Sequence, residues 1–248
     1  MGLLSNLKEL FGDTSKKPTI EWVDIPAGTY IMGIPESEYC AYNYRGYHSN
    51  IGYIEFQHQV TLSSFKMSKY AVTFKQYDIF CKAIGKNKPS DNGWGRNQLP
   101  VINVSLRDAK AFANWMGCRL PTEAEWEYGC RAGTTTPFNT GKILSFLPAN
   151  YEHQVGKTMP VGSYPPNGWG LYDMHGNVSE WCDEGYNFSG YPTIAQIDPM
   201  DKLTFIGLCV IRGGSYRSMH YECRSGSHDY HDYDSGSSSI GFRIVLPS

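Results

Sequence analysis

The chain has 248 residues, with 22 Lys and Arg against 24 Asp and Glu, a formal net charge of −2. That length buries a core large enough to fold without disulfides or metal, and so even a charge balance sets up no field to attract nucleic acid or an anionic membrane surface. Nucleic acid is therefore excluded as an expected partner, while 14% aromatic residues together with 26 Gly and 14 Pro favour an irregular, turn-rich fold over a helical bundle.

In chain order, Leu3, Leu4, Leu7, Leu10 and Phe11 recur at helical spacing. Residues 1–20 read as an amphipathic segment, packed on its own domain or offered to a partner or a second subunit. The longest apolar run there is Leu3-Leu4, too short for a signal peptide or a membrane span, and Asn6 breaks the myristoylation pattern that Gly2 would begin. The expectation is a cytoplasmic protein with no membrane span, or one that reaches an exterior target by another route, such as a phage particle. Cys40, Cys81, Cys118, Cys130, Cys182, Cys209 and Cys223 are odd in number and never spaced CxxC. They suit reduced, mostly buried thiols better than a zinc site or a disulfide framework.

From Glu21 no linker interrupts the chain, and residues 21–248 are read as one domain. "EWVDIPAGTYIMG" and "HQVTLSSFKMSKYAVT" alternate apolar and polar residues between Gly and Pro, the pattern of strands. Three helix starts follow: Thr73 with Gln76, Ser105 with Asp108, and Thr122 with Glu125, each a hydroxyl with an acid or amide three residues on. Each run ends near a Gly suited to a left-handed cap, the third at Gly133. Beyond Gly133 helical periodicity stops and turn signals such as Pro165-Pro166-Asn167-Gly168 crowd the chain, leaving only short apolar runs, "LCVIRGG" and "GFRIVL". The fold class is α+β with much irregular loop.

Four stretches carry a resemblance: "RLPTEAEWEYGCRAGTTTPF" from Arg119, "PPNGWGLYDMHGNVSEWCDE" from Pro165, "VIRGGSY" from Val210 and "IGFRIV" from Ile240. Together they resemble the formylglycine-generating-enzyme, or sulfatase-modifying-factor, superfamily. The resemblance implies a C-type-lectin-like fold: a small twisted sheet, a few helices and ordered loops. It also implies a copper site of two cysteines shortly after the GGS motif, since soft thiolates suit Cu(I). Here Arg217, Ser218, Met219, His220, Tyr221 and Glu222 follow, and Cys223 stands alone, so no catalytic residue is assigned and no cofactor is required. His220, His228 and His231 with Asp229, Asp232 and Asp234 could supply other metal ligands, but the neighbouring Ser and Gly offer little to orient them. The resemblance further implies a structural Ca²⁺ held by Asn177, the Val178 carbonyl and Glu180. The alternative for Asn177 and Glu180 is a hydrogen-bond network without an ion.

One stretch has an unusual composition. From Ser215 to Ser239 there are eight Ser, four Tyr, three Asp, three His and two Gly, leaving room for hardly any aliphatic residue. Relatives usually carry Asn there, and Tyr, His, Asp, Ser and Gly are the residues reached from an Asn codon when its adenines are exchanged. Between intact RGGS and GFR motifs, this set resembles the variable proteins of diversity-generating retroelements, which bind ligands through a mutated surface. Tyr gives rigid contact area at low entropic cost, and Ser, Gly and Asp adapt hydrogen bonds around it. The expected ligand-binding residues of segment 216–239 are Tyr216, Arg217, Ser218, His220, Tyr221, Ser227, His228, Asp229, Tyr230, His231, Asp232, Tyr233, Asp234, Ser235 and Ser237, with Tyr216, Tyr221, Tyr230 and Tyr233 as anchors. Trp126, Trp169, Leu171, Trp181, Phe242 and Ile244 are the expected framework. The expected partner is a protein or cell-surface ligand, the alternative an oxidoreductase with altered metal ligation, and a third reading a regulatory module recruited through the N-terminal segment.

Overall fold

A computed structural model describes residues 17–35, 38, 57–142, 149–188, 190–200 and 207–247. The amphipathic stretch 3–11 and Cys40 lie outside them. The first expected strand run divides at Pro26-Ala27 into β1 (Trp22–Ile25) and β2 (Gly28–Met32), and the second into β3 (His58–Leu62) and β4 (Phe65–Ser68). Proline has no amide hydrogen for a ladder, so the break falls there.

The three helices form where their caps placed them: α1 (Phe74–Ile84), α2 (Leu106–Met116) and α3 (Glu123–Arg131). In each, the N-cap hydroxyl of Thr73, Ser105 or Thr122 accepts from the third backbone N–H while Gln76, Asp108 or Glu125 reaches back, a reciprocal cap. Gly85 and Gly117 take the left-handed cap, but α3 stops one residue earlier than expected, on Ala132 at φ 46°. The helices differ in what they bury. Helix α1 buries Phe74, Tyr77, Phe80 and Cys81 on one stripe, and α2 buries Leu106, Ala109, Phe112 and Ala113. Helix α3 is buried on every side, its three glutamates included.

The later strands are β5 (Ser179–Gly185), β6 (Gln196–Ile197), β7 (Leu208–Arg212), β8 (His228–Asp232), β9 (Ile240–Gly241) and β10 (Val245–Pro247). Among the described residues they join the first four in three small sheets, β1-β4-β10, β2-β3-β6 and β8-β7-β5-β9. The third sheet positions the region of interest. Strands β5 and β7 are antiparallel, with Glu180 opposite Arg212, and β7 pairs with β8 over five registers from Leu208–Asp232 to Arg212–His228. Trp126, Leu171, Trp181, Phe242 and Ile244 are buried to 1% or less, as a framework role requires, whereas Trp169 sits half-buried against Tyr128. No helix among the described residues is long and apolar enough to cross a membrane.

Candidate ligand-binding surface

The Ser-, Tyr- and Asp-rich segment is fastened at both ends to one short piece of backbone. The Asn177 carbonyl accepts from the Tyr216 N–H at 3.0 Å, and two residues on the Ser179 N–H donates to the Ser239 carbonyl at 2.9 Å. Between the ends the main chain is tied down repeatedly. Glu152 N–H donates to Ser218 O at 2.8 Å, His153 N–H to Tyr216 O at 2.7 Å and Ser225 N–H to Pro137 O at 2.7 Å. The middle is strand β8, and beyond it Tyr233 N–H reaches Gly207 O at 3.0 Å while Asn103 N–H reaches Ser237 O at 2.9 Å. All of these bonds are main chain to main chain, so the path of the segment does not depend on which side chains it carries.

The side chains divide into three groups. Arg217, Asp229, Tyr230, Asp232, Asp234 and Ser235 are exposed, and Ser218, His220, Tyr221, His231, Tyr233 and Ser237 are half-buried. Tyr216 and Ser227 are buried, at 1% and 7%, and two expected surface residues are thereby corrected. The Tyr216 ring meets the edges of Trp94 and His153 at 5.5 and 5.9 Å, so it supports the loop from beneath. The Ser227 hydroxyl turns inward to the Tyr221 carbonyl at 3.1 Å. His228 is also displaced from an open surface: its side chain is 9% exposed, with Nδ1 2.6 Å from Glu123 Oε1, on the wall of a small pocket shared with Met32, Glu184 and Tyr191. Strand alternation alone does not sort them: residues 228, 230 and 232 share one face of the sheet, yet Tyr230 and Asp232 are exposed while His228, where β8 begins, is enclosed beside Glu123 and Tyr191.

Framework residues that sequence reasoning did not single out touch the segment. Tyr230 packs against Tyr186 and Phe188 with ring centroids 4.6 and 5.7 Å apart. Arg107 lies over the Tyr233 ring at 4.8 Å and pairs with Asp234 at 2.6 Å. Glu152 accepts from both the backbone N–H and Nδ1 of His220, at 3.0 and 2.7 Å, and these hydrogen bonds hold its carboxyl below the usual range. No local motif marks these residues, since each meets its partner across a long span of sequence.

Beneath the segment lies a buried charge network. Glu127, fully buried, accepts from Gly33 N–H at 2.9 Å and Arg131 Nε at 2.8 Å on one oxygen and from Arg212 on the other. Arg212 also donates to the carbonyls of Ser225 and Ser227, at 3.2 and 2.7 Å, so this network fixes the chain just before β8. Burial opposes the charge on Glu123, but His228 and Arg212 outweigh it and hold that carboxyl well below its ordinary value.

The residues expected to hold calcium do not fit a cation. Both Glu180 oxygens are taken: Arg243 Nε and Trp126 Nε1 donate to Oε2 at 2.6 and 2.7 Å, and Arg243 Nη2 donates to Oε1 at 2.9 Å. Asn177 Oδ1 accepts from Met159 N–H at 2.8 Å while its amide donates to Met159 O at 3.1 Å. Calcium needs several free oxygen ligands converging, and here the hydrogen-bond network takes their place. Among the described residues no group of three or more His, Cys, Asp and Glu is arranged to hold a metal ion. Ser218 and Cys223 meet at Gly214, where an added Cβ would lie 3.2 Å from Ser218 Cβ and 2.6 Å from Cys223 Sγ. Cys223 is fully buried, and burial pushes its thiol up, away from the thiolate that a soft metal takes.

Comparison with known proteins identifies the family and the fold. The family model described as sulfatase-modifying factor enzyme 1-like domain matches residues 8–247. The formylglycine-generating enzyme of Streptomyces coelicolor is 37% identical over 171 residues, covering 61% of this chain and 54% of that protein. The serine/threonine-protein kinase pkn1 of Chlamydia caviae is 30% identical over 212 residues, 76% of this chain but 34% of the kinase. The chain thus spans between about a third and about half of these relatives. Among solved structures, PvdO from Pseudomonas aeruginosa superposes with a TM-score of 0.73 at 28% identity, over 94% of this chain and 100% of that one. Treponema denticola variable protein 1 superposes with a TM-score of 0.72 at 21% identity, over 94% and 99%, a likeness of fold. The chain belongs to the sulfatase-modifying factor enzyme 1-like domain family and has its C-type-lectin-like fold.

Proposed function

We propose that this chain is a ligand-binding protein that displays an exchangeable set of side chains, between Arg217 and Ser237, on a fixed lectin-like frame. The observation that carries the reading is the main-chain fastening of the segment, from Asn177–Tyr216 at one end to Ser179–Ser239 at the other. A surface held by its backbone tolerates changes of side chain, and the composition it carries is that of a binding surface. Arg217, Tyr221, Asp229, Tyr230, Asp232, Tyr233, Asp234 and Ser235 are the contact set, with a protein or cell-surface ligand as partner. The test is in the gene and in the protein. Near the gene, a close copy of the coding segment for residues 212–245, with AAC or AAT at the exchanged codons, should accompany a reverse-transcriptase gene. In the protein, simultaneous randomisation of Arg217, Asp229, Tyr230, Asp232, Asp234 and Ser235 should yield mostly folded variants. Absence of the copy, together with collapse of most variants, would refute the reading.

A second reading has one observation in its favour. Ser218 and Cys223, downstream of the RGGS motif, both fold back against its Gly214, and the family includes formylglycine-generating enzymes. An oxidoreductase with altered ligation predicts copper or iron at one equivalent in purified protein, lost in Cys223→Ser or His228→Ala. A single buried thiol beside a hydroxyl is a poor soft-metal site, which is why binding is the preferred function.

A further inference from the structure

We propose that residues 3–11 of this chain dock as a helix in a groove that runs along α1. The groove encloses about 730 Å³. Helix α1 turns one stripe, Phe74, Tyr77, Phe80 and Cys81, into the core. A second stripe lines the groove: Lys75, Ile79, Lys82 and Ala83 recur at helical spacing over the length of the helix. Ile79 is 36% exposed there, and Ile20 and Val161 add apolar surface beside it. The chain itself enters at this place. Lys17 to Glu21 line the groove, and Gln76, whose side chain completes the α1 cap, donates from Nε2 to the Thr19 carbonyl at 3.0 Å. Whatever precedes Lys17 is thereby delivered to the groove.

The sequence before Lys17 says what arrives. Leu3, Leu4, Leu7, Leu10 and Phe11 share one side of a helix, and Gly12 is the residue that stops it. A helix over 3–11 is about 13 Å long, against about 16 Å for α1, so the apolar side matches the stripe in length. From Phe11 to Lys17 the chain reaches at most about 20 Å, enough to lay the segment over any part of α1. Charge agrees as well. Lys75 and Lys82 border the stripe with no ion pair among the described residues, while Glu9 and Asp13 are the acids of the arriving stretch. A helix this short is below the roughly 12–15 residues that hold alone in water, so it forms only against a surface that takes its apolar side. None of the residues lining the groove belongs to 216–239, and the docked helix leaves the exchangeable segment open.

Trypsin tests it on the full chain, with cleavage after Lys8 followed by mass. A seated helix shields Lys8, and proteolysis tracks the population of the open form, so Leu4→Asp and Ile79→Asp should each speed that cut by about tenfold or more. The double variant should be cut no faster than either single one, since both changes break the same contact. Ile197→Asp, at a position 78% exposed and outside the groove, should leave the rate unchanged. A second readout is anilinonaphthalene sulfonate, an anionic apolar dye that reports open apolar surface. Its fluorescence should rise several-fold in Leu4→Asp over the unmodified chain. Far-UV circular dichroism checks that each variant folds, and Leu4→Asp decides alone if Ile79→Asp does not. The proposal is overturned if Lys8 is cut as fast in the unmodified chain as in Leu4→Asp, or if dye uptake is equal in the two, the mark of a groove open to a small amphiphile. It is equally overturned if protection of Lys8 fades on dilution, which would assign the docked helix to a second copy.

Discussion

Arg243 and Glu180 form a two-contact ion pair that solvent does not reach. Nε and Nη2 of the arginine meet the two carboxylate oxygens at 2.6 and 2.9 Å, and the side chains are 0% and 1% exposed. The guanidinium also donates to the carbonyls of Ser68 and Tyr172, at 3.1 and 2.9 Å, so the pair joins β5 to the end of β4 and to the loop that holds Tyr172. Removing one partner of a buried pair leaves an uncompensated charge and costs about 3–5 kcal/mol. Glu180→Ala should lower the unfolding free energy by that order. Glu180→Met with Arg243→Met should recover much of the loss, since two apolar side chains leave no charge behind. Urea denaturation of the three variants checks it, and equal loss in single and double variants would contradict it.

Because the same carboxylate is fully engaged, calcium at the Asn177–Glu180 loop should contribute nothing to stability. Melting temperatures in excess EDTA and in millimolar calcium should coincide. A ligand that binds the folded state alone raises stability with its concentration, so a calcium-dependent rise abolished by Asn177→Ala would show that the loop opens to the ion.

A pH experiment follows from two neighbours in the chain. His175 is fully enclosed: Nδ1–H donates to Cys223 O at 2.7 Å and Nε2 accepts from Asn139 N–H at 3.1 Å. Burial brings its pKa down from 6.5 to about 4. As pH falls from 6.5 towards 4 the unfolded chain takes a proton that the folded one refuses, so stability is lost at about 1.4 kcal/mol per pH unit. Asp173 acts in the opposite sense. Burial raises its carboxyl from 3.8 to about 6, against the Gly162 N–H that bonds it, so the folded chain takes the proton first. Its contribution grows as pH falls from 6 to 3.8 and is lost as pH rises through 6. The two largely offset each other between pH 4 and 6. Asp173→Asn should therefore steepen acid destabilisation, and His175→Gln should reverse its sign relative to Asp173→Asn. Urea midpoints at pH 6.5 and 4.5 give both slopes.

Those groups also show where sequence reading stops. The capping boxes at Thr73, Ser105 and Thr122 are local chemistry, and the helices begin where those residues predict. Strand runs interrupted by Pro26 were legible for the same reason. The burial of α3 was not, because a helix with Glu123, Glu125 and Glu127 reads as solvated until Arg212 and His228 arrive from elsewhere in the chain to join the nearby Arg119 and Arg131. Composition located the 216–239 segment but could not order its tyrosines. Which of them faces out depends on Trp94, Glu152 and Tyr186, none of them near in sequence.

That ordering yields the last prediction. Tyr216 is 1% exposed and wedged between Trp94 and His153, its hydroxyl accepting from Arg217 Nε at 2.7 Å. Truncating a buried aromatic side chain costs about 3–5 kcal/mol, so Tyr216→Ala should be among the most destabilising changes in the segment. Tyr230, at 42% exposure, loses only its stacking on Tyr186 and Phe188, worth about 0.5–1.5 kcal/mol. Its anchoring role should appear instead in ligand capture, where losing a central aromatic weakens binding by roughly 30-fold or more. Denaturation and binding measured side by side should thus rank the two variants in opposite order. If Tyr230→Ala unfolds the protein while Tyr216→Ala only weakens binding, the roles assigned to the two rings are exchanged and the segment is not presented as described.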